Sequence, residues 1–169
     1  MISYLFAKHL NVDIDELVCI NEITSAPRKY WFTAKNNKDG SLDFVKDKDD
    51  CQFYLARLSK FPKTLDIIQK HIPDLILKNS YVTQCLPMYS MIPHIDPGRE
   101  TAIIIPLGKI KGSISFYLFD KKIYTYQYKG PTMTRVNINH SATNPSDTCI
   151  RYSITIEVPG SYFKNFIKR

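Results

Sequence analysis

The stretch "MIPHIDPGRETAIIIPLG", Met91 to Gly108, sets His94 and Asp96 two residues apart, ahead of a Pro-Gly turn and an apolar run. In an extended segment, side chains at i and i+2 project the same way, so the imidazole and the carboxylate can face one point. The turn at Pro97-Gly98 could aim the carboxylate inward. Two histidines and one carboxylate on one face of an octahedron hold Fe(II) and leave three positions open, so this pair offers two-thirds of such a site. The same spacing also arises as a polar turn before a strand. Of the chain's four histidines, only His140, in "RVNINHSATNPSDTCIRYS", lies downstream. The intervening strands could carry it around a barrel and back beside His94. The alternative is a turn histidine before "NPSD".

Arg151 and Ser153 follow on the next strand, on one face. A buried arginine needs an anionic partner, and its planar guanidinium suits a carboxylate in two-pronged geometry. A hydroxyl two residues on can add a hydrogen bond to the same carboxylate. Along "TCIRYSITIEV", Ile150, Tyr152, Ile154, Ile156 and Val158 alternate with Cys149, Arg151, Ser153, Thr155 and Glu157. Periodicity alone favours an apolar face in the core and a polar face in water. The alternative puts the apolar face under helices and lets the polar face line a barrel interior.

These residues must be positioned by one domain, since 169 residues suffice for a core of their own and 44% hydrophobic content suits a globular chain. The second half reads as short strands rich in β-branched and aromatic residues: "SYVTQCLPMY", "TAIIIPLG", "SISFYLF", "KIYTYQY", "TMTRVNI" and "DTCIRYSITIEV". Six or more strands at this spacing imply a sandwich or barrel rather than a parallel sheet. In the first half, Phe53, Leu55 and Leu58 suggest a helix over 49–60. A second helix is expected after Pro62, with Leu65, Ile68 and Ile72 on one face and Pro73 ending it. "NNKDGS" at 36–41 looks like a hairpin turn.

The four cysteines are scattered without CxxC spacing, which points to reduced, mostly buried thiols. The opening "MISYLFAKHL" lacks the features of a secretory signal and no apolar run is long enough for a membrane span, so a cytoplasmic protein is expected. The net charge of +7 is spread among acids, as in "VKDKDD", and reads as a solvated surface more than as a polyanion-binding face.

Together, "HID", the later histidine of "NINHSATN" and "RYS" give the chain its resemblance to the 2-oxoglutarate/Fe(II)-dependent oxygenases over roughly residues 62–158. The resemblance implies a mainly β fold with N-terminal helices and a double-stranded β-helix (jelly-roll) core. It implies a single oxygenase domain over 1–169: a mostly helical support region at 1–78, the jelly-roll core at 79–158 and a tail at 159–169. It further implies His94, Asp96 and His140 on Fe(II), with Arg151 and Ser153 binding the distal carboxylate of 2-oxoglutarate and the Arg151 face turned into the barrel. The chemistry implied is hydroxylation of an amino-acid, peptide or other small substrate by O2, with release of succinate and CO2. Family halogenases lack the carboxylate, so Asp96 argues for hydroxylation or a related oxidation.

The layout "FPKTLDIIQKHIPDLILKNSYVTQCLPMYSMIPHIDPGRETAIIIPLG" resembles the aspartyl/asparaginyl β-hydroxylase-like branch. Many members carry an Arg and a His in the strand ending in "PL", where this chain has Ala102 and Ile104. Tyr81 and Gln84 are candidates to line the pocket near the cosubstrate, and Tyr89 and Arg99 to meet the substrate; packing and solvation are the competing readings. Tyr124, Tyr126 and Tyr128 read chiefly as a packing stripe. His9 and His71 have no partner pattern. Three other functions stay open: a cupin-like metalloenzyme without 2-oxoglutarate, a nucleic-acid demethylase and a noncatalytic jelly-roll binding module. The demethylases typically carry a second arginine where this chain has Glu157. A homodimer that completes the pocket also stays open.

Overall fold

The computed structural model describes residues 6–36, 42–45 and 51–162, the side chains of 34–36 and 42–45 excepted. The elements run β1 (Ala7–His9), α1 (Glu16–Thr24), β2 (Thr33–Asn36), β3 (Leu42–Val45), β4 (Phe53–Arg57), α2 (Pro62–His71), β5 (Ile76–Cys85), β6 (Thr101–Leu107), β7 (Ser113–Leu118), β8 (Lys121–Gln127), β9 (Thr132–Arg135), β10 (His140–Thr143) and β11 (Arg151–Val158). A six-stranded antiparallel sheet has the order β1-β9-β6-β11-β5-β4, and a three-stranded sheet the order β10-β7-β8. The segment before Asp96 extends the small sheet, with Ser90 bridging Thr143 and His94 bridging His140. From β5 onward the chain thus passes repeatedly between two sheets, which is the expected double-stranded β-helix core.

The helices form where local chemistry ends them cleanly. Asp15 caps α1, its carboxylate accepting from the Val18 N–H at 3.1 Å, and Glu16 sits in the positive first turn. Pro62 opens α2, which has no side-chain cap of its own. Glu22 of α1 supplies one, accepting from the Lys63 and Thr64 N–H groups at 3.1 and 2.8 Å. α2 stops at His71, just short of Pro73, as expected.

Both helices lie on the outer face of the large sheet, where Ile23 and Ile68 pack with Val82, Ile103, Ile105, Ile154, Ile156 and Val158. Ala102, Ile104, Ile114, Phe116 and Val136 form a second cluster between the sheets. β6 therefore reads as an unbroken apolar run because both its faces are covered. The same burial fixes the register of β11. A slip by one residue would turn Ile154, Ile156 and Val158 into the cavity side and drive Arg151 into the apolar layer under the helices.

Two expectations need correction. Among the described residues of 49–60 there is no α-helix: Phe53–Arg57 is β4, paired with β5 from Phe53–Cys85 to Arg57–Tyr81, and Leu58–Lys60 is a single 3-10 turn. Apolar residues at 53, 55 and 58 suit either period, and pairing with the exposed edge of β5 decides. For the same reason the region 1–78 is not mostly helical; it carries β1 to β4 beside the two helices. Strands β2 and β3 do pair antiparallel, while the hairpin turn between them lies outside the described residues, as does most of the tail. His140 opens a strand of its own, β10. Among the described residues, no helix is long and apolar enough to cross a membrane.

Candidate active site

The open end between the two sheets holds a cavity of about 720 Å³. Its floor contains His94, Asp96 and His140, whose candidate ligand atoms all lie within 4.8 Å of one another. The bridge between His94 and His140, closed by two backbone hydrogen bonds of 2.9 Å, sets these rings beside each other with centroids 4.6 Å apart. In each ring Nδ1–H donates to a carbonyl two residues back, Ile92 O and Ile138 O, both at 2.8 Å. That fixes both rings so that Nε2 points at Asp96 Oδ1, at 3.4 Å for His94 and 3.9 Å for His140.

Burial is the largest influence on all three groups. It pushes His140 down, which favours the neutral imidazole a metal requires. In His94 burial also pushes downward, but the hydrogen bond and charge of Asp96 outweigh it and raise the pKa. In Asp96 burial pushes upward and is outweighed by His94, His140 and Arg99, so the carboxyl is held below its usual range. The result is one carboxylate and two imidazole nitrogens around a point with no protein cation on it, a donor set that fits a divalent metal. A metal bound only by the fold raises stability by about 2.7 kcal/mol at a hundredfold excess over Kd, and so the melting temperature by roughly 5–10 °C. Mn(II) added to the apoprotein is expected to give that rise and EDTA to reverse it, read by differential scanning fluorimetry.

Across the cavity, Arg151 and Ser153 project inward from β11 while Tyr152 and Ile154 project under the helices. The polar face of β11 therefore lines the interior, and the solvent-facing reading is excluded. Arg151 is 2% exposed; its Nε donates to Lys111 O at 2.8 Å and its guanidinium carbon lies 5.4 Å from the Tyr128 ring centroid. Among the described residues, no carboxylate pairs with it. Ser153 Oγ and Thr83 Oγ1 lie 2.6 Å apart beside it. A buried cation flanked by hydroxyls and lacking an anion fits a carboxylate ligand.

Arg151 is seated by Gly112, whose φ is +72° and whose missing Cβ would lie 2.5 Å from Arg151 Nε and from Thr143 O. Gly112→Ala is therefore expected to push the guanidinium from its seat. Any affinity for 2-oxoglutarate should fall on the order of tenfold or more, with metal affinity unchanged, as read by calorimetric titration of each.

Tyr81, Tyr89 and Arg99 line the cavity. Gln84 does not: it follows Thr83 on β5 and so faces the other side of the sheet, and Thr83 takes the inward place. Of the tyrosine stripe, Tyr124 and Tyr126 pack beside Phe6 and Phe116, whereas Tyr128 lies buried under Arg151. The sequence reading missed Arg57, whose Nη1 donates to Tyr81 Oη at 2.8 Å, together with Phe53 and Leu55 of the same strand. The apolar spacing of β4 fits a helix as well as a strand, and only its pairing with β5 turns these residues to the cavity.

No family profile and no curated protein matches the sequence. Solved structures do. A 2OG-Fe(II) oxygenase family oxidoreductase from Burkholderia pseudomallei is similar over 92% of this chain and 86% of its own, at 12% identity and TM-score 0.56. A prolyl hydroxylase from Trichoplax adhaerens, in complex with a hypoxia inducible factor oxygen degradation domain peptide, is similar over 89% and 80%, at 14% identity and TM-score 0.54. At these identities the likeness is one of fold, the double-stranded β-helix.

Proposed function

We propose that this protein is a non-haem Fe(II)- and 2-oxoglutarate-dependent oxygenase that hydroxylates an amino-acid, peptide or other small substrate. The observation that carries the reading is one cavity lined both by a His94, Asp96, His140 donor set that fits a metal cation and by a buried Arg151 that has no carboxylate partner among the described residues. When bound, the iron supplies the oxidation: 2-oxoglutarate and O2 yield succinate and CO2, one oxygen atom entering succinate and the other the substrate.

The chain's own residues bind and orient. Arg151 receives the distal carboxylate of 2-oxoglutarate as a two-pronged pair, with Ser153 and Thr83 offering hydroxyl hydrogen bonds beside it. Tyr128 closes the space beneath, its phenol held protonated by burial even though Arg151 pulls the other way. Phe53, Leu55, Tyr89, Met91 and Ile92 give the cavity an apolar wall. A cupin-like enzyme without 2-oxoglutarate would need the triad but not a buried arginine. A peptide as substrate draws support from the prolyl hydroxylase of similar fold. The layout around "IPHID" and "PLG" supports the aspartyl/asparaginyl hydroxylase-like branch, although Ala102 is buried in the core and Ile104 gives the cavity an apolar wall.

The reaction is tested by loading the protein with Fe(II) and 2-oxoglutarate labelled at C1 and collecting labelled CO2. Release that requires iron and O2 supports the reading, and release indistinguishable from that of the Asp96→Ala protein contradicts it.

A further inference from the structure

Arg99 lines the same cavity and is bound at only one of its two edges. Asp96-Pro97-Gly98-Arg99 forms a tight turn, with Arg99 N–H donating to Asp96 O at 3.4 Å and Gly98 at φ +72°, the value that places glycine third in such turns. The turn folds Arg99 back over Asp96, and Nη1 donates to Asp96 Oδ2 at 3.0 Å. The other two nitrogens, Nε and Nη2, are buried and have no hydrogen-bond partner among the described residues. In a guanidinium these two N–H groups lie parallel along one edge, the fork that takes both oxygens of a carboxylate. Leaving them unmet in the interior is unfavourable, and each such group asks for a partner.

Charge identifies the partner. If the oxygenase reading holds, Asp96 and the 2-oxoglutarate dianion bring three negative charges to the four positive charges of Fe(II), Arg151 and Arg99, which leaves one positive charge over among these groups, and Arg99 is the one that still has donors without a partner. A single charge beside the Asp96 carboxylate suits a monoanion, whereas a phosphate dianion would meet that carboxylate's repulsion. We propose that the free edge of Arg99 binds a carboxylate of the prime substrate, which makes the substrate a carboxylic acid whose apolar remainder lies on Phe53, Leu55 and Met91. The carboxylate comes from a free amino acid or small organic acid, or from an acidic side chain of a polypeptide. The inference rests on the oxygenase reading. It adds that one arginine joins the substrate's carboxylate to the carboxylate that holds the metal.

The test uses anaerobic protein carrying Fe(II) and 2-oxoglutarate, followed by its visible charge-transfer band. The probes are the twenty free L-amino acids and a set of short monocarboxylic acids, each paired with its amide, and capped Asp and Glu dipeptides paired with Asn and Gln. At least one acid should perturb the band and, on admission of air, raise succinate formation about tenfold or more while its amide does neither. Whether that acid is a free acid or a dipeptide assigns the source. Arg99→Lys keeps a charge for Asp96 but loses the fork. It should keep the band and raise the half-saturating concentration of that acid on the order of tenfold to a hundredfold. Acids and amides acting alike, no probe acting on the wild type, or Arg99→Lys responding as wild type would each overturn the proposal. A band lost in Arg99→Lys would overturn it too, because Arg99 would then serve only as a clamp on Asp96. A wild-type protein that forms no band at all defeats the oxygenase reading itself, and this inference with it.

Discussion

Asp96→Ala is expected to leave a folded protein with no iron-dependent turnover. The carboxylate is the only anion among the three converging groups, and both Nε2 atoms and the Arg99 guanidinium are aimed at it. Without it, two neutral imidazoles face a cation next to an arginine, and the facial set is broken. The loss should exceed about a thousandfold, given that a ligand and its charge are removed together. The fold is expected to survive because Asp96 belongs to neither apolar cluster. Succinate formation measures the first effect and circular dichroism the second; turnover at the wild-type rate by a pure Asp96→Ala protein would remove the metal assignment.

Arg151→Met should give the next largest effect, and of a different kind. Methionine fills much of the same space without the charge, so iron should still bind while 2-oxoglutarate loses its partner. Removing one member of a buried, hydrogen-bonded ion pair costs about 2–5 kcal/mol, and each 1.4 kcal/mol is about tenfold, so the KM for 2-oxoglutarate should rise roughly a hundredfold or more. In the ligand-free protein the sign reverses. Arg151 has no carboxylate partner among the described residues, so replacing a buried, unpaired charge by an apolar side chain should leave the melting temperature unchanged or higher. A large loss of stability together with an unaltered KM would mean that Arg151 serves the core and not a cosubstrate.

The residues of this account differ in how visible they were from sequence. His94 and Asp96 were legible because i, i+2 spacing survives any register, and His140 and Arg151 because the resemblance tied them to the pair. The strands from β5 to β11 were mostly legible from β-branched runs between turn residues. What stayed hidden was set by tertiary pairing. β4 carries apolar residues at a spacing compatible with either period, and only its place beside β5 makes it a strand. With β4 unseen, the cavity wall formed by Phe53, Leu55 and Arg57 was unseen too. Along β5, Tyr81, Val82 and Thr83 are all buried, so no alternation marks which face looks inward. Gln84 and Thr83 are therefore equal candidates by sequence, and Thr83 is the one that lines the cavity. On β11 the alternation was plain, but its meaning depended on whether helices or water covered the apolar face. The packing of α1 and α2 on Ile154 and Ile156 answers that.

The most direct test of the central claim is an anaerobic titration of the apoprotein with Fe(II) and then 2-oxoglutarate, watched for the visible charge-transfer band of ferrous iron chelated by a 2-oxo acid. The account predicts a band that saturates at one equivalent of iron, is absent from Asp96→Ala and requires far more 2-oxoglutarate in Arg151→Met. Iron that binds without any band would contradict it and favour a cupin-like metalloenzyme, and no metal binding would reduce His94 and Asp96 to a polar turn.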